Sequence, residues 1–520
     1  MKVIDLFAGP GGLGEGFSSL RSSGKQFFNI AVSIEKEPKA HQTLMLRAFL
    51  RQFPSDNAPD EYYKFLEGVL GKTPADELYK LTKYRKHVER AHEEARCLEL
   101  GKDNVEIYKA IRSSIGNKDC IVIGGPPCQA YSLVGRSRNA GKQDYIPELD
   151  ERNYLYFEYL KVIARFQPLV FIMENVKGLL SAKVEEKLIF QDIKLQLAHP
   201  CRTANQRPES NRKSHEYHIV SLVVEGNEDN FAPKDYVVRS EDYGVPQARH
   251  RVIFLGIRSD FAARWDESHL LRKSERVSVF EVINDLPRLR SGMSGKDDSF
   301  EKWVNTVQSA TNLEPALKKH GLENVSQTIR VAVADRSKFS STRGGTFGIE
   351  NYKNISTSLD VKLATWYKDP RLKVVCNHES KQHMPADLYR YLFCSAWPLS
   401  GKINGRDSAY PHPEDYPDVL KPNHKNFDSG KFANRFRAQV KHLPASTITS
   451  HIAKDGHYFI HYDPTQCRSL TVREAARIQT FPDNYFFVGG RTDQYIQVGN
   501  AVPPYLARQI AASVAKMLHL

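Results

Sequence analysis

"MKVIDLFAGPGGLGEGF", Met1 to Phe17, joins a short apolar run to a turn rich in glycine. Val3 to Phe7 reads as a strand buried on both faces. Gly9, Gly11 and Gly14 behind it fit the Gly-x-Gly-x-x-Gly spacing that brings backbone close to a ligand at a helix N-terminus. Further runs of the same kind follow: "IAVSIE" (Ile30 to Glu35), "CIVIGG" (Cys120 to Gly125), "LVFIME" (Leu169 to Glu174) and "RVIFLGIR" (Arg251 to Arg258). Between the third and fourth runs, Leu155, Tyr159, Val162, Ile163 and Phe166 recur at helical spacing until Pro168 stops the pattern. The alternation predicts a doubly wound α/β core.

Glu35 ends the second strand at the distance where an acidic residue reads ribose hydroxyls. Dinucleotide enzymes and S-adenosylmethionine enzymes share that arrangement, and the pocket alone does not choose between them. The segment from about 49 to 118 is rich in Lys, Glu, Arg and Leu and reads as a helical insertion with a charged, solvated face. From Ser259 to about Tyr462 the βα rhythm breaks into Gly, Pro, Asn and Ser punctuation, which predicts a second, irregular domain. Helical patterns return in "LTVREAARIQTF" and "VGNAVPPYLARQIAASVAKML". The expected organisation is 1–258, 259–467, and 468–520 returning to the first domain.

The totals narrow the class. A chain of 520 residues, 41% hydrophobic and 26% charged, is an ordinary globular composition, which excludes wholesale disorder. A formal charge of +13 favours a polyanionic partner. The 7 cysteines are scattered and never form Cys-x-x-Cys, arguing for a reducing compartment and against structural zinc. No secretory leader and no membrane span are expected.

One of those cysteines stands apart. "GGPPCQAYS", Gly124 to Ser132, fixes the backbone with Pro126 and Pro127 directly before Cys128, at the strand edge where such sheets place their ligands. Glu174 ends the next strand and can face the same cleft, since a carboxylate on an apolar run is costly unless paired or used. Arg249 and Arg251 are spaced to point the same way from an extended strand entrance, as guanidinium donors for a planar polar substrate. Thiol, carboxylate and guanidinium beside an adenosine-type pocket suggest addition to a ring followed by group transfer.

The ordered set "DLFAGPGGLGEGF", "SIEKE", "GGPPCQAYS", "DERNYLYFEYL", "MENVKGLL", "DYGVPQARHRVIFLGIR", "RSLTVREAARIQTFPDNY" and "QVGNAVPP" resembles the DNA (cytosine-5-)-methyltransferases of bacterial restriction-modification systems, in the family order and across almost the whole chain. The resemblance implies a Rossmann-like S-adenosylmethionine-dependent core with a target-recognition domain. Cys128 would attack C6 of a flipped-out cytosine, Glu174 would contact N3 and the exocyclic amine, and Arg251 with Arg249 would contact the base. Asn175 would order the site, with Val176 packed near it. Phe7, Gly9, Gly11, Gly12, Glu35, Leu155, Asn500 and Val502 would hold S-adenosylmethionine, with Asp103 a candidate for the adenine.

By the same resemblance, Gln129, Ser132, Arg136, Arg138 and Lys142 lie on the loop that closes over DNA, with Gly135 and Gly141 as hinges. "HKNFDSGKFANRFRAQVKH" interleaves Phe427, Phe432 and Phe436 with basic residues, including Arg435 and Arg437, as suits backbone contact and stacking. Arg343 in "STRGG" is a candidate reader of guanine. The implied partners are double-stranded DNA and a cognate restriction endonuclease, for a cytoplasmic monomer that needs no metal. Rival readings are RNA cytosine methylation, a DNA-binding module without catalysis, and an NAD-dependent oxidoreductase. The last leaves Pro-Pro-Cys and Glu-Asn-Val unexplained.

Overall fold

A computed structural model describes residues 1–22, 24–54, 57–127, 151–181, 183–184, 187–209, 212–226, 228–295, 297–348, 359–403, 409–423 and 435–520; of residues 151–154 and 181–189 only backbone is described. The chain divides into two compact units. Unit 1 comprises Met1–Pro59, Thr73–Glu275 and Ala501–Leu520; unit 2 comprises Asp60–Lys72 and Arg276–Asn500.

Unit 1 is a sheet of 8 strands. They are β1 (Lys2–Leu6), β2 (Asn29–Glu35), β3 (Ala95–Cys97), β4 (Cys120–Gly124), β5 (Val170–Val176), β6 (Tyr217–Val220), β7 (Val237–Arg239) and β8 (His250–Arg258). The order is β6-β8-β5-β4-β1-β2-β3, with β7 also paired to β8. Strands β1 to β5 run parallel, and β8 runs antiparallel to β5. The order reverses at β1, so chain crossing in both directions opens a crevice at the C-terminal ends of β1 and β4.

The apolar runs split by the two-residue period of a strand. Val3, Ile121, Ile123, Val170, Ile172, Ile253 and Leu255 face one core with helices α1 (Gly12–Ser18) and α6 (Pro504–Met517). Ile4, Val122, Phe171, Met173, Val252 and Phe254 face the other, against α4 (Asn104–Ile115) and α5 (Glu151–Phe166). Helices α2 (Pro38–Leu50) and α3 (Arg85–Glu94) lie between β2 and β3.

The expected insertion is therefore not one body. Residues 95–118 belong to the doubly wound core: Ala95–Cys97 is the edge strand, and Ile107, Ile111 and Ile115 bury the inner face of α4. Residues 60–72 instead pack in unit 2, where the Tyr63 hydroxyl donates to Asp369 at 2.8 Å. The other edges move as well. Residues 259–275 stay in unit 1, tied by Leu271 N–H to Leu222 O at 2.9 Å, and 468–500 fall in unit 2, tied by Arg473 N–H to Asn377 O at 2.9 Å.

Unit 2 is irregular in its strands, which are ladders of 2 residues such as Gly344–Gly345. Its core is helical: Phe300–Gln308, Glu323–Ala334 and Pro385–Ala396 enclose Trp303, Leu392 and Trp397. Arg468, Arg473 and Arg477 are fully buried there. Arg468 meets Glu474 through two bonds of 2.7 and 2.6 Å, Arg477 meets Asp483 at 2.8 Å, and Arg473 caps three backbone carbonyls. Among the described residues no helix is long and apolar enough to cross a membrane.

Candidate active site

The crevice in unit 1 is lined first by the turn after β1. Phe7, Gly9 and Gly11 all take positive φ, of 56°, 57° and 101°. Alternating left-handed residues fold the chain tightly over the sheet edge, and Phe7 does so at the steric cost a side chain carries there. A Cβ on Gly9 would meet nothing within 4 Å, so open space lies beside that backbone. Gly12 is the reverse: its Cβ would lie 2.3 Å from the Val502 carbonyl oxygen. Val502 is thus brought to the head of α1. Gly16 likewise lets α1 touch α6, where a Cβ would come within 2.4 Å of Ala507.

Glu35 anchors the turn. Its two carboxylate oxygens accept the N–H of Gly9 at 2.7 Å and of Glu37 at 2.8 Å. Burial pushes its carboxyl above the usual range, and those N–H bonds oppose the shift. The loop that follows β3 lies beside it, since Leu98 N–H donates to Glu35 O at 3.2 Å. Asp103 spends one carboxylate oxygen on Glu99 N–H at 2.8 Å, closing the turn into α4.

Beneath α1 sits a residue the sequence reading missed. Asp5 is fully buried, pairs in register with buried Ser33, and neither its oxygens nor the Ser33 hydroxyl has a well-formed hydrogen bond. A Cβ on Gly14 would stand 2.8 Å from Asp5 Oδ2, so the helix rests directly on the carboxyl. Burial, opposed mainly by Arg51, pushes Asp5 up to about 8. The signal was an acid inside an otherwise apolar strand.

The second wall is built by β5 and β8. Glu174 and Arg251 are diagonal neighbours on one face of that antiparallel pair, and Arg251 Nε lies 2.8 Å from Glu174 Oε1. The charges touch, but the N–H does not point at the oxygen well enough for a hydrogen bond. Arg249 is buried near both. Desolvation, then the neighbouring Arg251, push it down to about 9, which leaves it charged at neutral pH. Asn175 turns its Oδ1 to the N–H of Val176 at 2.8 Å.

The Glu174 carboxylate reaches across to the strand carrying the Pro-Pro lead-in, because Gly125 has no side chain: a Cβ there would be 3.2 Å from Glu174 Oε2. Cys128 itself lies outside the described residues, as do Gln129, Ser132, Gly135, Arg136, Arg138, Gly141, Lys142, Phe427 and Phe432. Pro126 and Pro127 are described and follow Gly125 directly. Leu155 is half-buried in the first turns of α5.

Unit 2 carries the remaining expected residues. Asn500 ends its last helix and is exposed. Arg343 donates to Asp298 Oδ2 at 2.8 Å and to Ser380 O at 3.3 Å, so its guanidinium is engaged inside the unit. Arg435 is exposed and ion-paired with Asp455, and Arg437 is partly buried.

Known proteins resemble this chain in sequence and in fold. Residues 96–199 and 213–516 match the model of the C-5 cytosine-specific DNA methylase family. The chain is 30% identical to the type II methyltransferase M.Bpa9945I of Bacillus paralicheniformis, over 100% of this chain and 99% of that one. It is 25% identical to the type II methyltransferase M.DdeI of Desulfomicrobium norvegicum, over 99% and 88%. The crystal structure of a protein encoded within an E. coli prophage shares the fold, with a TM-score of 0.54, 18% identity and full coverage of both chains. A sheet with a glycine turn under Glu35 and a Glu174–Arg251 wall, in a chain matched over most of its length, belongs to the C-5 cytosine-specific DNA methylase family.

Proposed function

We propose that this DNA (cytosine-5-)-methyltransferase modifies C5 of a cytosine turned out of a specific double-stranded sequence, with Cys128 as the covalent nucleophile. The observation that carries the reading is Glu174: a carboxylate at a sheet edge, held against Arg251 and let through by Gly125 to the strand that leads to Cys128. The residues around the glycine turn suit S-adenosylmethionine. Open space borders Gly9, and the Glu35 carboxylate, fixed by two N–H groups, keeps lone pairs for ribose hydroxyls. Phe7, Gly9, Gly11, Gly12, Glu35, Leu155 and Val502 would hold it, and when bound it supplies an electrophilic methyl group.

The chain's own residues then do the rest. The Cys128 thiolate forms a bond to C6, and the electron pair of the C5–C6 double bond moves to make C5 nucleophilic. Glu174 accepts a hydrogen bond from the exocyclic amine and passes a proton taken from solvent to N3, which neutralises the charge that the thiolate brings to the ring and favours the addition. Arg251 and Arg249 keep positive charge beside that carboxylate and align it. After C5 has gained the methyl, a water accepts the C5 proton, the C–H electron pair re-forms the C5–C6 double bond and expels the Cys128 thiolate, and N3 returns its proton through Glu174 to solvent. A paired base is out of reach of a sulfur on a sheet edge, so the reaction requires extrusion of the cytosine, costing a few kcal/mol of stacking.

Unit 2 would read the target, the basic chain would meet phosphates, and a cognate restriction endonuclease would share the site. A cytoplasmic monomer suffices, since one base is processed per event. The test is methyl transfer from labelled S-adenosylmethionine to mixed-sequence duplex DNA, with bisulfite sequencing of the product. Discrete 5-methylcytosine sites are expected, absent with Cys128→Ala and made about a hundredfold or more slower by Glu174→Gln. Transfer to RNA alone, or full activity of Cys128→Ala, would overturn the reading.

A further inference from the structure

In unit 2, residues 435–438 lie alongside 455–460. Arg437 N–H donates to His457 O at 2.9 Å, and Ile460 N–H donates to Arg437 O at 2.9 Å. Phe436 is buried and stacks on the His457 ring at 4.3 Å, while His457 Nδ1 sits 2.8 Å from the Tyr391 hydroxyl. Arg435 is neutralised by Asp455. The backbone at this point is therefore fixed on both sides of Arg437.

Arg437 is held differently from its neighbour. Its guanidinium lies 4.0 Å from the Tyr410 ring centroid and 4.9 Å from that of Tyr458, and NH1 donates to the Tyr458 hydroxyl at 2.9 Å. Among the described residues no carboxylate pairs with it. The arginines that serve the fold of this unit are matched by an acid, as Arg468 is by Glu474, or by several backbone carbonyls, as Arg473 is; the Arg437 side chain meets neither among the described residues. Here two rings fix the plane of the fork, and no carboxylate among the described residues compensates its charge. NH1 spends one of its two hydrogens on Tyr458, and no other described residue takes its second hydrogen or those of NH2.

A fixed fork is more than a phosphate needs, because phosphate oxygens accept from many directions. Guanine offers two acceptors side by side in the major groove, and only guanine presents O6 and N7 at the spacing of a guanidinium edge. We propose that Arg437, clamped between Tyr410 and Tyr458, reads a guanine of the DNA target through N7 and O6 and so sets one position of the recognition sequence. This rests on the DNA-methylating function proposed above.

The experiment starts with the wild-type protein and its mapped target. Each guanine of the target duplex is replaced in turn by 7-deazaguanine, which removes the N7 acceptor, and kcat/KM for methyl transfer is measured. One guanine is expected to be sensitive, by about ten- to a hundredfold. Arg437→Lys keeps charge and bulk but loses the fork; it should abolish that sensitivity and accept other bases at that position alone. Tyr458→Phe keeps the ring but loses the NH1 acceptor, and should weaken discrimination at the same position in part.

Two results overturn the proposal while leaving the function intact: discrete methylation with no guanine sensitive to 7-deaza replacement, or an Arg437→Lys protein slowed equally on every sequence, which marks a phosphate contact. A wild-type protein that methylates no DNA overturns both readings.

Discussion

Replacing Asp5 by asparagine tests how the glycine turn is supported. In the wild-type protein the Asp5 carboxyl is fully buried beneath Gly14 of α1 and beside Ser33 of β2, and the charged groups that act on it are Arg51 after α2, Glu35 on β2 and Glu94 on α3. No well-formed hydrogen bond reaches either oxygen, and burial raises its pKa from 3.8 to about 8. The unfolded chain ionises near the lower value and the folded chain near the higher. The folded state therefore holds the extra proton between them, and stability present below 3.8 is lost as pH rises through about 8.

The slope is up to about 1.4 kcal/mol per pH unit, so ionisation of the unfolded chain costs on the order of 4 kcal/mol by neutral pH. The side-chain amide of the variant has no such proton to lose. Urea unfolding of unit 1 at several values between about pH 5 and pH 8 should show the wild-type protein weakening steadily relative to the variant, with the two curves converging toward acid. Parallel pH slopes for the two proteins would refute the assignment of Asp5 as a neutral buried acid.

Three further outcomes follow from the same geometry. Glu35→Gln loses the charge on two bonds of 2.7 and 2.8 Å and should weaken S-adenosylmethionine binding by roughly ten- to a hundredfold in calorimetry, with little change in unit 2 unfolding. Gly12→Ala places a methyl 2.3 Å from the Val502 carbonyl oxygen; it should cost about 1–3 kcal/mol in unit 1 and lower cofactor affinity, both measurable by ligand-dependent melting. Glu474→Ala leaves the Arg468 guanidinium buried without its acid and should destabilise unit 2 by about 3–5 kcal/mol in chemical unfolding. Because Arg468 holds the Glu474 carboxyl far below its usual range, the wild-type pair should persist until strongly acid pH.

The parts legible in the sequence are those whose chemistry is local. A strand, a glycine turn and a helix head are contiguous in Val3 to Phe17, and Glu35, Glu174 and Arg251 each end or begin an apolar run. Edge strand β3 was not legible, because "ARC" is three residues paired on one side only and follows the charged helix Arg85–Glu94. The isoleucines of α4, spaced by four, were the available clue. Unit boundaries were hidden for a different reason. Arg468, Arg473 and Arg477 look like a polar helix face, yet each is buried by partners supplied in part by distant segments of unit 2, including Asn377's neighbour Cys376, Val282 and Leu289. Arg343 shows the same limit: its bond to Asp298 depends on folding that no local pattern encodes.

Unit 1 takes its last piece from the far end of the chain: α6 covers α1 through Gly16 and Ala507, and Val502 closes on Gly12. On the ribosome the glycine turn is made first and its cover last, with unit 2 synthesised in between. A nascent chain that stops before Ala501 thus lacks the helix that packs on α1, however much of unit 2 has formed. Completion of unit 1 therefore waits on the last-made residues, and a chain stopped within unit 2 exposes the face of α1 that Gly16 and Ala507 otherwise close.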